Sequence, residues 1–177
     1  MKPAADRELV ARIIERAASR GLTLAVAESL TGGLLADAFV SVPGASRVFT
    51  GGIVAYDTAL KHSLLGVDAA VLRERGPVDG EVARQMALGV RTACATSHGE
   101  AGTIPVEIGV ATTGVAGPDP DAQTGQPAGT VWIAVSLGAF ERQQLLALDG
   151  DRSSIRIAAV AAAIALLWDC LDADGVS

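Results

Sequence analysis

The stretch Leu22-Thr23-Leu24-Ala25-Val26-Ala27-Glu28-Ser29-Leu30-Thr31-Gly32-Gly33 decides the fold, because a short apolar run bounded by Gly21 and Glu28 hands over to helical spacing. Residues 22–27 read as a buried strand. Leu34, Leu35, Ala38 and Phe39 then recur at helical intervals, which predicts a helix over about 31–42, halted by Pro43-Gly44. At such a junction the first helical N–H groups lack intrahelical partners and point over the strand end, and Gly32 and Gly33 let an anion approach closely. Ser29 and Thr31 are therefore either ordinary N-caps or part of a reactive corner.

Outward from this junction, strands alternate with helices. Residues 6–20 place Leu9, Val10, Ile13, Ile14 and Ala17 on one face and stop at Gly21, a first helix with Asp6 as its cap. A second strand is expected over 50–56, short helices over 59–65 and 69–75, and a longer helix from its Asp79 cap to about 97. Strands follow at 107–113, 130–137 and 142–148, the last two joined at Gly138-Ala139 as an antiparallel hairpin. A closing helix covers 151–172. The class is α/β, a mixed sheet with helices on both faces.

The chain has 177 residues, suited to one domain over 1–177, and half of them are hydrophobic but only 3% aromatic. The core must be built from Ala, Val, Leu and Ile. A net charge of −6 without a basic run argues against nucleic acid as partner, and a bound metabolite is the better default. The N-terminus has no signal-peptide core, and the apolar run 157–168 falls short of the roughly 20 residues that span a bilayer, so no membrane partner is expected. Cys94 and Cys170 stand far apart with no His at ligand spacing, so neither metal nor disulfide is expected. A reducing cytoplasm fits these features. The oligomeric state stays open, a homo-oligomer included.

Familiar hydrolase patterns are missing. There is no Gly-x-Ser-x-Gly elbow, no Ser-x-x-Lys and no Walker loop. His62 and His98 read as a surface residue and a helix C-terminal cap. Tyr56, at the end of the second strand, and Lys61, about one turn into the next helix, could both reach the crevice above Ser29. Lys61 is either an exposed residue or a base; serving as a base near neutrality requires its pKa to fall from about 10.4 to about 7, and Arg152 or a helix N-terminus could contribute. The Pro/Gly-rich 114–129 segment leaves a strand's carboxyl end, where open α/β sheets bind ligands. Arg152, opening the last helix with Ser153 and Ser154, could grip an anion or cap a turn. Glu28 could orient the nucleophile loop or a substrate hydroxyl, or be a buried structural carboxylate.

Ordered along the chain are Ala27-Glu28-Ser29-Leu30-Thr31-Gly32-Gly33, Val42-Pro43-Gly44-Ala45-Ser46, Gly52-Ile53-Val54-Ala55-Tyr56, Lys61 with Leu64-Leu65-Gly66-Val67, Gly114-Val115-Ala116-Gly117-Pro118, Pro127-Ala128-Gly129-Thr130-Val131-Trp132 and Gly150-Asp151-Arg152. Together they resemble the C-terminal domain of the competence-damage-inducible CinA proteins, which also occurs as a stand-alone bacterial nicotinamide-nucleotide amidohydrolase. The resemblance implies a three-layer α/β/α sandwich with a mixed five-stranded sheet. It implies hydrolysis of the carboxamide of nicotinamide mononucleotide to nicotinate mononucleotide and ammonia, without a cofactor. Carried over by motif, Ser29 is the nucleophile and Lys61 the base, with Tyr56 beside it. Thr113, Gly114 and Gly117 line the site, and Arg152 holds the phosphate. The amides near Thr31, Gly32 and Gly33, or those of the 113–117 loop, stabilise the oxyanion. With Ser29 given to chemistry, Thr31 is the expected cap. The chain departs from the family at 119–126 and at Asp57-Thr58, so no substrate contact is assigned there. The activity of the larger N-terminal domain of two-domain members is not carried over. The alternative is a nucleotide-binding module without catalysis; an RNA-binding domain is disfavoured by the acidic charge.

Overall fold

The computed structural model describes residues 6–97 and 102–173. The chain runs through α1 (Arg7–Ser19), β1 (Leu24–Glu28), α2 (Leu34–Val40), a 3-10 turn (Ala45–Arg47), β2 (Phe49–Val54), α3 (Thr58–Leu65), α4 (Ala69–Arg75) and α5 (Gly80–Ala93). It continues through β3 (Thr96–Ser97), β4 (Thr103–Ile104), β5 (Ile108–Gly114), β6 (Thr130–Leu137), β7 (Phe140–Ala147) and α6 (Arg152–Ala173). Five strands form the main sheet in the order β2-β1-β5-β6-β7. β1 pairs parallel with both β2 and β5, whereas β5–β6 and β6–β7 are antiparallel. The mixed five-stranded sheet and its terminal hairpin agree with the sequence reading.

Side-chain alternation along the strands divides the core in two. Leu24, Val26, Ile108, Val110, Val131, Ile133 and Val135 pack with α1, α2 and α6 on one face. Ala25, Ala27, Ala111 and Ala134 face α3, α4 and α5 on the other. Burying each large aliphatic side chain on the first face contributes about 1.5–3 kcal/mol. The small residues on the second face let α5 lie close to the sheet. A Cβ at Gly109 would run into the Ala87 carbonyl of α5, so that strand position accepts only hydrogen. α6 is the one described helix long and apolar enough to cross a membrane, with 22 residues and a mean hydropathy of 1.8. It serves as a core helix here: Ile155, Val160, Ile164, Leu167 and Leu171 are buried against the sheet and α1.

Several boundaries differ from expectation. α2 begins at Leu34 rather than near Thr31, because Gly32 (φ 58°) and Gly33 (φ 99°) occupy left-handed backbone that a right-handed helix cannot continue through. Thr31 is not its cap: the Thr31 hydroxyl pairs with that of Thr112 at 2.8 Å on β5. α5 ends at Ala93, short of 97, and Thr96–Ser97 instead pairs antiparallel with Thr103–Ile104. β2 and β7 each start earlier than expected, at Phe49 and Phe140. The expected cap role of His98 lies outside the described residues.

Candidate active site

Parallel pairing sends the carboxyl ends of β1, β2 and β5 to the same edge of the sheet, where loops carry Ser29, Ala55-Tyr56 and Val115–Gly117. The N-terminus of α6 arrives at the same edge. A cleft of about 210 Å³ lies there, lined by Ser29, Leu30, Tyr56, Lys61, Thr113 and Arg152 among others. It adjoins an outer compartment of about 380 Å³ that shares Tyr56, Gly114, Ala116, Asp121 and Arg152 and adds Val115, Gly117, Pro118 and Asp119. This is the crevice position at which open α/β sheets take ligands.

Ser29 follows β1 directly, and its N–H donates to the Thr112 carbonyl at 3.0 Å. Lys61 enters from the first turn of α3, which Asp57 caps through the Ala59 N–H at 2.8 Å. The lysine is 1% exposed, and its Nζ donates to Ser29 Oγ at 2.9 Å and to the Ala55 carbonyl at 2.9 Å. Burial lowers its pKa from 10.5 to about 8, against the smaller opposing pull of the Asp57 carboxylate. The expected help from Arg152 is not needed, since loss of hydration alone accounts for the direction. At pH 7 about one lysine in ten is then neutral and able to accept a proton. A serine hydroxyl in contact with a partly neutral amine is the arrangement of an activated nucleophile.

Further out, Arg152 donates from Nη2 to the Tyr56 hydroxyl at 2.9 Å and from Nη1 to the Gly117 carbonyl at 2.8 Å. Tyr56 is 60% exposed, so this pair sits at the mouth. Asp151 caps the turn, accepting from the Ser154 N–H at 2.7 Å. The Ala116 and Gly117 amides have no hydrogen-bond partner among the described residues and line the outer compartment beside Arg152.

The other expected site residues divide. The Thr113 hydroxyl donates to the Pro77 carbonyl at 2.6 Å and joins two walls of the cleft, while Gly114 lines both compartments. Glu28, Thr31, Gly32 and Gly33 stand behind the cleft rather than on its surface. Glu28 is 1% exposed, and its carboxylate accepts from the N–H groups of Gly33 (3.0 Å), Leu35 (3.0 Å) and Ala36 (2.9 Å). It is the cap of α2, supplied from the end of β1. The Gly32 N–H turns back to the Ser29 carbonyl at 3.2 Å, so the Gly32 and Gly33 amides are both taken. By contrast, the Leu30 and Thr31 amides, directly after the serine, have no partner among the described residues.

Sequence reasoning missed Leu30, Thr58, Pro77, Val78 and Asp121, all of which line the cleft. Asp121 had a signal, since it falls in the divergent 119–126 segment. Its carboxylate accepts from the Thr124 N–H at 2.8 Å and closes a turn beside the site. Among the described residues no group of three or more His, Cys, Asp or Glu side chains could hold a metal ion.

The family model for the CinA C-terminal domain matches residues 6–171. A CinA-like protein from Frankia casuarinae is 42% identical over 163 residues, which is 92% of this chain and 35% of the relative. The chain thus spans about a third of the length of that curated relative. The crystal structure of the competence/damage inducible protein CihA from Agrobacterium tumefaciens superposes with a TM-score of 0.83 at 32% identity, covering 97% of this chain and 98% of that one. A competence-damaged protein (CinA) superfamily protein from Enterobacter cloacae gives a TM-score of 0.86 at 26% identity, covering 97% and 95%.

Proposed function

The chain belongs to the CinA C-terminal domain family, and on that footing we propose that it hydrolyses the carboxamide of nicotinamide mononucleotide to nicotinate mononucleotide and ammonia. The observation that carries the mechanism is the 2.9 Å contact between the buried Lys61 Nζ and Ser29 Oγ. The substrate itself follows from the family resemblance. Neutral Lys61 takes the Ser29 hydroxyl proton as Oγ attacks the carboxamide carbon. The tetrahedral intermediate collapses when Lys61 returns the proton to the departing nitrogen, releasing ammonia and leaving an acyl-Ser29 ester. Water then adds, again with Lys61 as base, and frees the carboxylate.

The two compartments suit the two ends of such a substrate. The inner one, closed by Lys61 and Thr113, takes the amide end. The outer one, with Arg152 and the unpartnered Ala116 and Gly117 amides, takes the phosphate. Tyr56 steadies the guanidinium through its 2.9 Å contact. A small charged metabolite of this kind belongs to the cytoplasm. The test is ammonia release from nicotinamide mononucleotide by the purified protein and its Ser29→Ala variant. Turnover that vanishes in the variant supports the reading. Calorimetric binding without product, or wild-type turnover in Ser29→Ala, would replace it with that of a nucleotide-binding module.

A further inference from the structure

Arg156 lies one helical turn after Arg152 on α6 but lines neither compartment. Its Nε donates to the Leu30 carbonyl at 2.8 Å and its Nη2 to the Thr31 carbonyl at 2.7 Å. A guanidinium, partly buried, is thus committed to the two peptide carbonyls that directly follow Ser29. The fit is close: a Cβ on Gly32 would sit 3.2 Å from Arg156 Nη2. In a trans peptide the N–H points opposite to the C=O. Fixing the Leu30 carbonyl toward α6 therefore turns the Thr31 N–H away from α6, and the whole Ser29–Thr31 turn is pinned with it. The Leu30 and Thr31 amides are the ones left without partners, and Leu30 lines the cleft.

We propose that Arg156 is a positioning residue for the nucleophile turn, holding that turn so that the unpartnered Leu30 amide, directly after Ser29 and on the cleft wall, is an oxyanion donor for the tetrahedral intermediate on Ser29. This deepens the amidase reading and rests on it for the substrate. The planar fork matters, because two carbonyls in different directions are held by one rigid group that a lysine cannot copy.

The experiment compares wild type with Arg156→Gln and Arg156→Lys in two assays, with melting temperatures recorded to identify variants that fail to fold. In ammonia release from nicotinamide mononucleotide, both variants should lose kcat, by roughly 10²-fold for Arg156→Gln and less for Arg156→Lys, with KM within about 3-fold of wild type. In the second assay a fluorophosphonate reacts with Ser29, the Oγ–P bond forming as fluoride leaves and Lys61 takes the proton. Its labelling rate should fall in the same order, and Ser29→Ala should not label. This arm needs no natural substrate. Labelling slowed in Arg156→Gln, with no ammonia released by wild type, would sink the substrate while leaving the positioning role intact. Wild-type labelling rates and kcat in folded Arg156→Gln would overturn the proposal, as would a loss expressed in KM alone.

Discussion

The site contains two pairs of the same kind at the same length. Lys61 Nζ meets the Ser29 hydroxyl at 2.9 Å, and Arg152 Nη2 meets the Tyr56 hydroxyl at 2.9 Å. What separates them is water. Lys61 is 1% exposed and its pKa falls to about 8, whereas the partner of Arg152 is 60% exposed and a guanidinium stays charged at any working pH. On the proposed reading, one cation–hydroxyl contact serves as a base with its nucleophile and the other as a fixed positive clamp. The lesson is that the role is set by burial and by the choice of cation, since distance is common to both.

Breaking the inner pair has the largest expected effect. Ser29→Ala should lower kcat for ammonia release by more than about 10⁴-fold. Lys61→Arg makes the inner pair resemble the outer one, with a cation that cannot deprotonate. It should cost about 10²- to 10⁴-fold in kcat, measured in the same assay. The same burial carries a stability signature. Because the folded pKa lies below the unfolded value of 10.5, the unfolded chain binds the extra proton between pH 8 and 10.5, and wild-type stability rises through that window. Measured by urea unfolding as the difference from Lys61→Met, the rise should be about 3 kcal/mol. Breaking the outer pair should act on binding: Arg152→Gln raises KM for the mononucleotide about 10- to 100-fold and leaves the phosphate-free riboside unaffected. Tyr56→Phe removes one exposed hydrogen bond and should change KM by less than about 5-fold.

Much of this was legible in the sequence. The apolar run ending at Glu28, the two glycines after it and the 130–148 hairpin pattern gave the mixed sheet, and strand ends located Ser29, Tyr56 and the 113–117 loop. Lys61 was legible as a candidate, but its burial was not, because its partners Ser29 and Ala55 lie just beyond the ends of β1 and β2 and meet it only in the fold. Glu28 escaped assignment as a cap for a related reason: local capping rules look three residues ahead, while this carboxylate reaches five to eight residues ahead across a left-handed turn. Arg156 gave no local signal beyond being a charge in an apolar helix, since its partners are 125 and 126 positions away. The β3–β4 pair is too short for any periodicity to show.

The central claim is that burial turns Lys61 into the base for Ser29. The pH dependence of kcat/KM for ammonia release from nicotinamide mononucleotide tests it most directly. The rate should climb about tenfold per pH unit below an apparent pKa near 8 and level off above it. A profile that is flat or falling between pH 6 and 9 would contradict the claim and leave Lys61 a charged neighbour of Ser29.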